Sequence, residues 1–253
     1  MPLIRPRKAL MNPELRRRGI YILPNLFTTA ALFAGFFAIV QAMNGRFEYA
    51  SIAVFIAMVL DSLDGRVARL THTESDFGAE YDSLSDMVSF GAAPALVVYE
   101  WALKGMGKIG LIAAFIYCAG AALRLARFNT NIGIIDKRYF QGLPSPAAAA
   151  LVAGLVWVLH DLGYSGKDMR WYACALTIFA GVTMISNIRY WSGKDINLRR
   201  SIPFMVVPAF VLVYALLSSY PPGVLFALFL CYALSGYVMA AWQLLNRNKI
   251  KSP

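Results

Sequence analysis

The chain has 253 residues and a net charge of +10, with 58% hydrophobic and only 15% charged residues. A soluble globular domain carries roughly 25% charged residues, so this composition leaves too few to cover a water-facing surface. The positive charge does not indicate nucleic acid as a partner, because the lysines and arginines gather at the ends of apolar segments, where they meet lipid headgroups.

Apolar segments of about 18 or more residues with few charges indicate membrane-spanning helices. In chain order the candidates are residues 22–43, 49–68, 83–103, 109–128, 146–162, 171–186, 202–219 and 224–244. The connections between them are too short to hold a soluble domain of appreciable size. The sequence therefore predicts an all-α integral membrane protein, a polytopic helical bundle of about eight transmembrane helices that forms a single domain over residues 1–253.

The lysines and arginines also predict how this bundle is oriented. A basic segment, residues 1–19, precedes the first apolar segment, and with an even number of spans it lies on the same side as the basic C-terminal tail. The loops after the second, fourth and sixth spans are basic as well, whereas those on the opposite side are poor in Lys and Arg. Because cytoplasmic loops are rich in these residues, both termini are predicted to be cytoplasmic.

Four aspartates lie where the second predicted helix ends and the third begins. Asp61 and Asp64 are three residues apart and Asp82 and Asp86 are four apart, so each pair projects from one face of its helix. In an antiparallel hairpin the four carboxylates converge near the cytoplasmic membrane boundary. Ionised groups at such depth must be paired or bound to a cation. Oxygen ligands without His or Cys favour Mg²⁺ or Mn²⁺ and also suit Ca²⁺, and four carboxylates can hold two ions.

Two other interpretations of the acids remain open. One is a buried network of salt bridges with Arg66, Arg69, Arg124 or Arg127, although four acids at these spacings exceed what orienting a helix requires. The other is a divalent-cation or solute transporter that uses the acids as a binding station. Against a transporter, all four acids lie toward one face of the membrane and the spans show no evident inverted repeat.

Small residues accompany the acids. Gly65 and Ala68 on the second predicted helix and Gly78 at the start of the third leave space for a base or a diphosphate to approach the backbone. Close packing of membrane helices uses the same residue types. Arg69, one turn beyond Asp64–Gly65, is well placed to hold phosphate oxygens.

Two polar residues lie one turn apart on the first predicted helix, near the same boundary. They are Asn25 and Thr28. They either contact a nucleotide or cap that helix.

Residues 61–86 read D-x2-D-G-x2-A-R-x8-G-x3-D-x3-D, which resembles the signature of the CDP-alcohol phosphatidyltransferase family at every defined position. The resemblance implies an enzyme that moves a phosphatidyl-type group from a CDP-linked lipid onto an alcohol and releases CMP. It implies that Asp61, Asp64 and Asp82 bind two divalent metals and that Asp86 lies at the metal site and is the general base. It also implies that Gly65, Ala68, Arg69 and Gly78 line the CDP site.

Further segments, residues 23–28, 86–95, 124–129, 142–149 and 184–190, resemble the membrane-embedded bacterial and archaeal branch of that family whose acceptor is serine. This branch implies CDP-diacylglycerol and L-serine as substrates and phosphatidylserine and CMP as products. It also implies a homodimer in a bacterial inner membrane, with the active site facing the cytoplasm. Glycerol 3-phosphate or an inositol phosphate stays open as the acceptor.

Serine is a zwitterion, so its carboxylate needs a cationic or amide-rich site. Arg124, Arg127 and Asn129 end the fourth predicted helix on the side of the acids, and Arg189 lies in a later loop on that side. We predict that they hold the acceptor carboxylate or a lipid phosphate. The alternative is that the arginines only anchor helix ends at the headgroups.

Overall fold

The computed structural model describes residues 13–71, 73, 75–130, 139–191 and 206–250. The helices are α1 (Pro13–Met43), α2 (Phe47–Thr71), α3 (Asp76–Asp86), α4 (Ala93–Val98), α5 (Lys108–Thr130), α6 (Ser145–Asp161), α7 (Gly166–Ile185), α8 (Val206–Ser219) and α9 (Pro221–Ile250). Two short strands, β1 (Tyr139–Gln141) and β2 (Arg189–Trp191), complete the elements of the described residues.

The third predicted helix corresponds to one continuous but irregular helical segment, residues 76–106, which we call the third rod. A π-helical turn, Met87–Ala92, joins α3 to α4, and a second π-helical turn, Tyr99–Leu103, follows α4 before the 3₁₀ turn Lys104–Met106 ends the rod. Such π turns occur frequently at functional sites. The first one begins directly after Asp86, the last residue of the acid motif.

Tyr117 of α5 supports this first π turn. Its side chain is fully buried, and its hydroxyl donates a hydrogen bond to the carbonyl oxygen of Phe90 at 2.9 Å. A π turn disturbs the regular i to i−4 bonding of the helix, so a side-chain donor from a neighbouring helix compensates.

The described residues form eight helical rods, at the positions that hydropathy predicts, when α3 to the 3₁₀ turn counts as one. Three segments are long and apolar enough to cross a membrane by length and composition: Pro24–Met43, Lys108–Thr130 and Pro221–Gln243. Large apolar side chains such as Phe33, Phe115 and Trp242 are exposed, which suits contact with lipid. The all-α class is thus confirmed and the helices are consistent with a membrane protein, while the number of spans and the side of the termini stay predictions.

Small residues bring the helices close together. In α6 every residue from 147 to 156 is buried, and four of them are consecutive alanines. At the crossing of α5 and α7, a Cβ added to Gly120 would lie 2.5 Å from the carbonyl oxygen of Gly181. Backbone contact through glycine is characteristic of helix packing in membranes, where apolar side chains gain little by leaving lipid.

Two short strands add to the all-α architecture. The two longest predicted loops, after the fourth and sixth spans, contribute strands β1 and β2, which pair antiparallel with Gln141 opposite Arg189. Three-residue strands are too short to show a periodic pattern in the sequence. Tyr190 of β2 is fully buried and its hydroxyl donates to the carbonyl oxygen of Ala233 at 2.8 Å, which fastens the sheet to α9. Residues 131–138 and 192–201 of these loops, and residues 202–205 at the start of the seventh predicted span, lie outside the described residues.

Candidate active site

The aspartates of the motif meet between α2 and α3. Asp61, Asp64 and Asp82 each offer one carboxylate oxygen, and these oxygens lie within 4.8 Å of one another. Asp86, one turn after Asp82, lies close enough to Asp61 for the two carboxyl groups to interact electrostatically. Asp64 is almost fully buried, and the other three are half-buried. Four acids this close repel one another strongly unless a cation or protons lie among them.

The unsatisfied oxygens of this cluster fit a divalent cation. One oxygen of Asp82 and one of Asp86 are buried without a hydrogen-bond partner in the described part of the chain. The salt bridge found among the described residues joins Lys104 to Glu100, in the last turns of the third rod. The alternative of an aspartate–arginine salt-bridge network is therefore not found there. Oxygen ligands alone suit Mg²⁺, Mn²⁺ or Ca²⁺.

Thr28 of α1 contacts the acid cluster directly. Its hydroxyl donates a hydrogen bond to Asp64 Oδ2 at 2.8 Å, and both residues are buried. Because α1 begins at Pro13, well before Asn25, the alternative that Asn25 and Thr28 cap this helix is wrong. The first predicted apolar segment, residues 22–43, did not include the helical turns of α1 that begin at Pro13.

A cavity of about 620 Å³ opens beside Asp64 and Asp82. This volume lies within the range of small-molecule sites, about 300–1,000 Å³. Its walls include every residue that we predict to contact the CDP-lipid, which are Asn25, Thr28, Gly65, Ala68, Arg69 and Gly78. The structure thus brings these six residues together from α1, α2 and α3.

The space around the two glycines distinguishes ligand approach from helix packing. A Cβ added to Gly65 would meet no atom within 4 Å, so no neighbouring helix requires glycine there. A Cβ on Gly78 would lie 3.1 Å from Ser75 Oγ and 3.6 Å from Asn25 Oδ1. At Gly65 the packing alternative fails, and the bare backbone faces the open cavity.

Several cavity residues escaped the sequence analysis. Thr73 is buried, and its hydroxyl lies 2.7 Å from that of Thr71. Ser75 caps α3 by accepting a hydrogen bond from the Gly78 backbone N–H at 3.1 Å. Serine is a preferred residue at the start of a helix. The segment S-D-F-G is therefore the signal in the sequence from which the position of Ser75 at the start of α3 follows. Phe128 of α5 also lines the cavity, but an aromatic residue at the end of a membrane helix carries no specific signal.

Arg124 lies beside the acids. Its side chain is buried, and it donates a hydrogen bond to Ser145 Oγ at the start of α6 at 2.5 Å. The guanidinium carbon is 5.8 Å from the centre of the Phe128 ring, which connects Arg124 to the cavity wall. Its positive charge acts on Asp86 and Asp61. A buried cation in this position can bind an anionic group of a substrate.

The other predicted acceptor residues have different surroundings. Arg127 donates to the carbonyl oxygens of Ile185 and Ser186, and so stabilises the end of α7. Asn129 donates from Nδ2 to Ser83 Oγ at 2.9 Å, directly beside the acid motif. Arg189 is exposed in β2, and none of the contacts found in the described residues joins it to the acids.

A comparison of the sequence with known protein families identifies the family of proteins that this chain belongs to. The sequence model described as CDP-alcohol phosphatidyltransferase matches residues 21–187, which contain the complete acid motif and the cavity. The chain belongs to the CDP-alcohol phosphatidyltransferase family. It is therefore an enzyme of the phosphotransferase class, and the transporter interpretation is wrong.

Individual members of this family match most of the chain. It is 36% identical over 233 residues to CDP-diacylglycerol–serine O-phosphatidyltransferase of Helicobacter pylori strain J99, an alignment that covers 91% of this chain and 97% of the relative. It is 43% identical over 137 residues to the Methanocaldococcus jannaschii protein of the same name, covering 54% and 61% of the two chains. The Mycobacterium leprae protein of that name is 35% identical over 182 residues, covering 70% and 60%.

Proposed function

We propose that this enzyme transfers the phosphatidyl group of CDP-diacylglycerol to the hydroxyl group of L-serine, and that phosphatidylserine and CMP are the products. The observation that carries the proposal is the similarity to the Helicobacter pylori serine O-phosphatidyltransferase along nearly the full length of both chains. The relatives in Methanocaldococcus jannaschii and Mycobacterium leprae bear the same name.

The cavity is the proposed site of the CDP moiety. Gly65 and Ala68 leave the backbone of α2 open to the cavity, so a planar base or a diphosphate can approach it closely. Arg69 is exposed at the wall and supplies a guanidinium group for phosphate oxygens. Asn25 and Gly78 face each other across the space between α1 and α3, where a larger residue at position 78 would narrow the site.

The proposed cofactor is a pair of divalent ions, Mg²⁺ or Mn²⁺, with Ca²⁺ as a further candidate. The carboxylates of Asp61, Asp64, Asp82 and Asp86 would hold them, because these groups offer oxygen ligands and have no cationic partner within salt-bridge distance among the described residues. Ions held by these carboxylates would neutralise the diphosphate and polarise the phosphate that carries the lipid.

The proposed general base is Asp86. Its carboxylate takes the proton of the serine hydroxyl while the serine oxygen bonds to the lipid-bearing phosphorus, and the bond from that phosphorus to CMP breaks with its electron pair on CMP. A carboxylate is a weak base, so proton transfer accompanies bond formation on a positioned hydroxyl. The unpartnered buried oxygen of Asp86 is consistent with a group that accepts a proton.

The proposed anchor of the serine carboxylate is Arg124, whose buried guanidinium group lies beside Asp86 and is held by Ser145. Asn129 is a second candidate because it lies beside the acid motif. For Arg127 and Arg189 an acceptor role stays a prediction, and the bonds of Arg127 to α7 favour a structural one.

We further propose that the eight rods cross a bacterial inner membrane with both termini in the cytoplasm. This orientation follows from the distribution of Lys and Arg, and it opens the acid cluster to the side that contains soluble serine. A homodimer is proposed on the family resemblance.

A substrate panel tests the proposed acceptor. Purified protein receives CDP-diacylglycerol and Mn²⁺ with L-serine, glycerol 3-phosphate, an inositol phosphate or no acceptor, and the lipid products are identified by mass. We expect phosphatidylserine and an equal amount of CMP with L-serine, and only background CMP without an acceptor. A faster reaction with glycerol 3-phosphate or the inositol phosphate would contradict serine as the acceptor and leave the transfer reaction intact.

A further inference from the structure

We propose that Thr28 is a positioning residue that sets the placement of the two halves of the acid motif relative to each other. Its side chain holds Asp64 of α2, and its backbone holds Ser85 of α3. From the sequence, Thr28 is predicted only to contact the nucleotide or to cap a helix. The inference rests on the metal-binding part of the proposed function and does not depend on which acceptor the enzyme uses.

The side-chain half of this link is a hydrogen bond to a metal-ligand candidate. The Thr28 hydroxyl lies 2.8 Å from Asp64 Oδ2 and 3.2 Å from the carbonyl oxygen of Pro24. A hydroxyl has a single proton, and a charged acceptor at the shorter distance forms the stronger bond. Thr28 is 3% exposed and Asp64 is 5% exposed, so water competes little for this bond. Thr28 therefore orients the carboxylate of Asp64, one of the three aspartates whose oxygens lie close enough together to hold a cation.

The backbone half of the link reaches the second pair of acids. Ser85, which is 2% exposed, donates from Oγ to the carbonyl oxygen of Thr28 at 3.1 Å. A carbonyl oxygen has two lone pairs, so it can accept this bond in addition to the one within α1. Ser85 lies between Asp82 and Asp86 on α3, so its position determines where both acids stand.

A second serine makes an equivalent bond farther from the acids. Ser89 is fully buried, and its Oγ donates to the carbonyl oxygen of Ala31 at 3.0 Å. The rods touch here, because a Cβ on Gly35 would lie 2.6 Å from Ser89 Oγ. Ser89 thus contributes to the packing of α1 on the third rod without adjoining an acid of the motif.

Because Thr28 is bonded to both α2 and α3, it controls how these two helices are placed relative to each other. Asp64 belongs to α2 and Ser85 to α3, and both form a hydrogen bond with Thr28. The distance between Asp64 and Ser85 therefore depends on this single threonine. Hydrogen-bond partners of metal ligands fix the orientation of those ligands, and removing one typically lowers metal affinity or activity by about 10–100-fold. Thr28 is expected to act in this way on Asp64, and Ser85 on Asp82 and Asp86.

Direct titration with Mn²⁺ tests this inference. Free Mn²⁺ is followed by electron paramagnetic resonance in the presence of the full-length, detergent-purified protein without substrates. We expect Thr28→Val to weaken Mn²⁺ binding by about 10-fold or more and Ser85→Ala by a similar factor, as for other partners of metal ligands. Thr28→Ser, which keeps the hydroxyl, and Ser89→Ala, which removes the equivalent bond farther away, should bind Mn²⁺ like the wild type.

Thermal unfolding in EDTA separates positioning from loss of the fold. Ser85→Ala and Ser89→Ala should lower the midpoint to a similar extent, because each removes one buried hydrogen bond between the same rods. Unchanged Mn²⁺ affinity in Thr28→Val, or equal weakening in Ser85→Ala and Ser89→Ala, would overturn the inference. A wild-type protein that binds no Mn²⁺ would overturn the metal part of the proposed function and this inference with it.

Discussion

Asp82 and Asp86 lie one turn apart on α3, and each has one buried carboxylate oxygen without a hydrogen-bond partner in the described part of the chain. Both lie near Asp61, but the positive charge of Arg124 acts on Asp86. Asp82 instead lines the cavity with Asp64. Two acids on one helix face therefore have different neighbours, in keeping with the separate roles that we propose for them.

The first prediction concerns Asp86→Asn, which preserves size but removes a group that can accept a proton. We expect turnover to fall by about 10²–10⁴-fold, the usual contribution of a general base. Binding of CDP should remain measurable, because Asp86 does not line the cavity. CMP release and equilibrium binding of CDP measure the two effects. Glu80→Gln, on an exposed position of the same helix, is the control, and near-normal turnover of Asp86→Asn would contradict the assignment.

The second prediction concerns removal of divalent ions. Because the acids have no cationic partner within salt-bridge distance among the described residues, we expect EDTA to reduce CMP release to background. Added Mg²⁺ or Mn²⁺ should restore it. Activity that persists in protein shown by elemental analysis to be free of divalent metal would refute the requirement.

The third prediction separates the donor site from the acceptor site. Arg69 lines the cavity, whereas Arg124 lies beside Asp86, so their variants should affect different substrates. We expect Arg69→Ala to raise the KM for CDP-diacylglycerol by about 10-fold or more, which corresponds to a charge-assisted bond of about 1.5–3 kcal/mol. Arg124→Lys should raise the KM for serine, because lysine lacks the planar fork that binds a carboxylate.

The two arginine variants control for each other in these steady-state measurements. Each should leave the KM of the other substrate close to the wild-type value. Equal changes in both KM values for both variants would show that the two arginines do not distinguish the substrates.

The fourth prediction concerns the crossing of α5 and α7. Gly120→Ala places a methyl group 2.5 Å from the carbonyl oxygen of Gly181, and backbone cannot move aside as a flexible side chain can. We expect a loss of about 1–3 kcal/mol of stability, the usual cost of overpacking. Thermal unfolding in detergent measures it.

Gly154→Ala on α6 is the matched control for this substitution. Its nearest neighbours, atoms of Phe226, would lie 3.5 Å from the new methyl group, which is ordinary contact. Alanine is also a better helix former than glycine, so the midpoint should stay the same or rise. A Gly120→Ala protein as stable as Gly154→Ala would contradict the close crossing.

The local pattern of the sequence was sufficient to predict the helices and to identify the acid motif. Hydropathy depends on runs of neighbouring residues, and the spacings of Asp61 to Asp64 and of Asp82 to Asp86 specify helix faces without knowledge of the fold. The cavity residues Gly65, Ala68 and Arg69 followed from the same motif. The start of α1, the π turns and the strands β1 and β2 were missed, because each depends on contacts that leave no periodic signal.

The sequence by itself determined the acid motif and its spacing, and the resemblance of that motif to the CDP-alcohol phosphatidyltransferase signature implied the reaction. Only the tertiary structure decided how these groups are held. The bonds from Thr28 to Asp64 and from Ser85 to Thr28 join residues 36 and 57 positions apart, and Arg127 turned out to bind the end of α7. Contacts at such separations arise from how the helices pack, and residue spacing along one helix does not encode them.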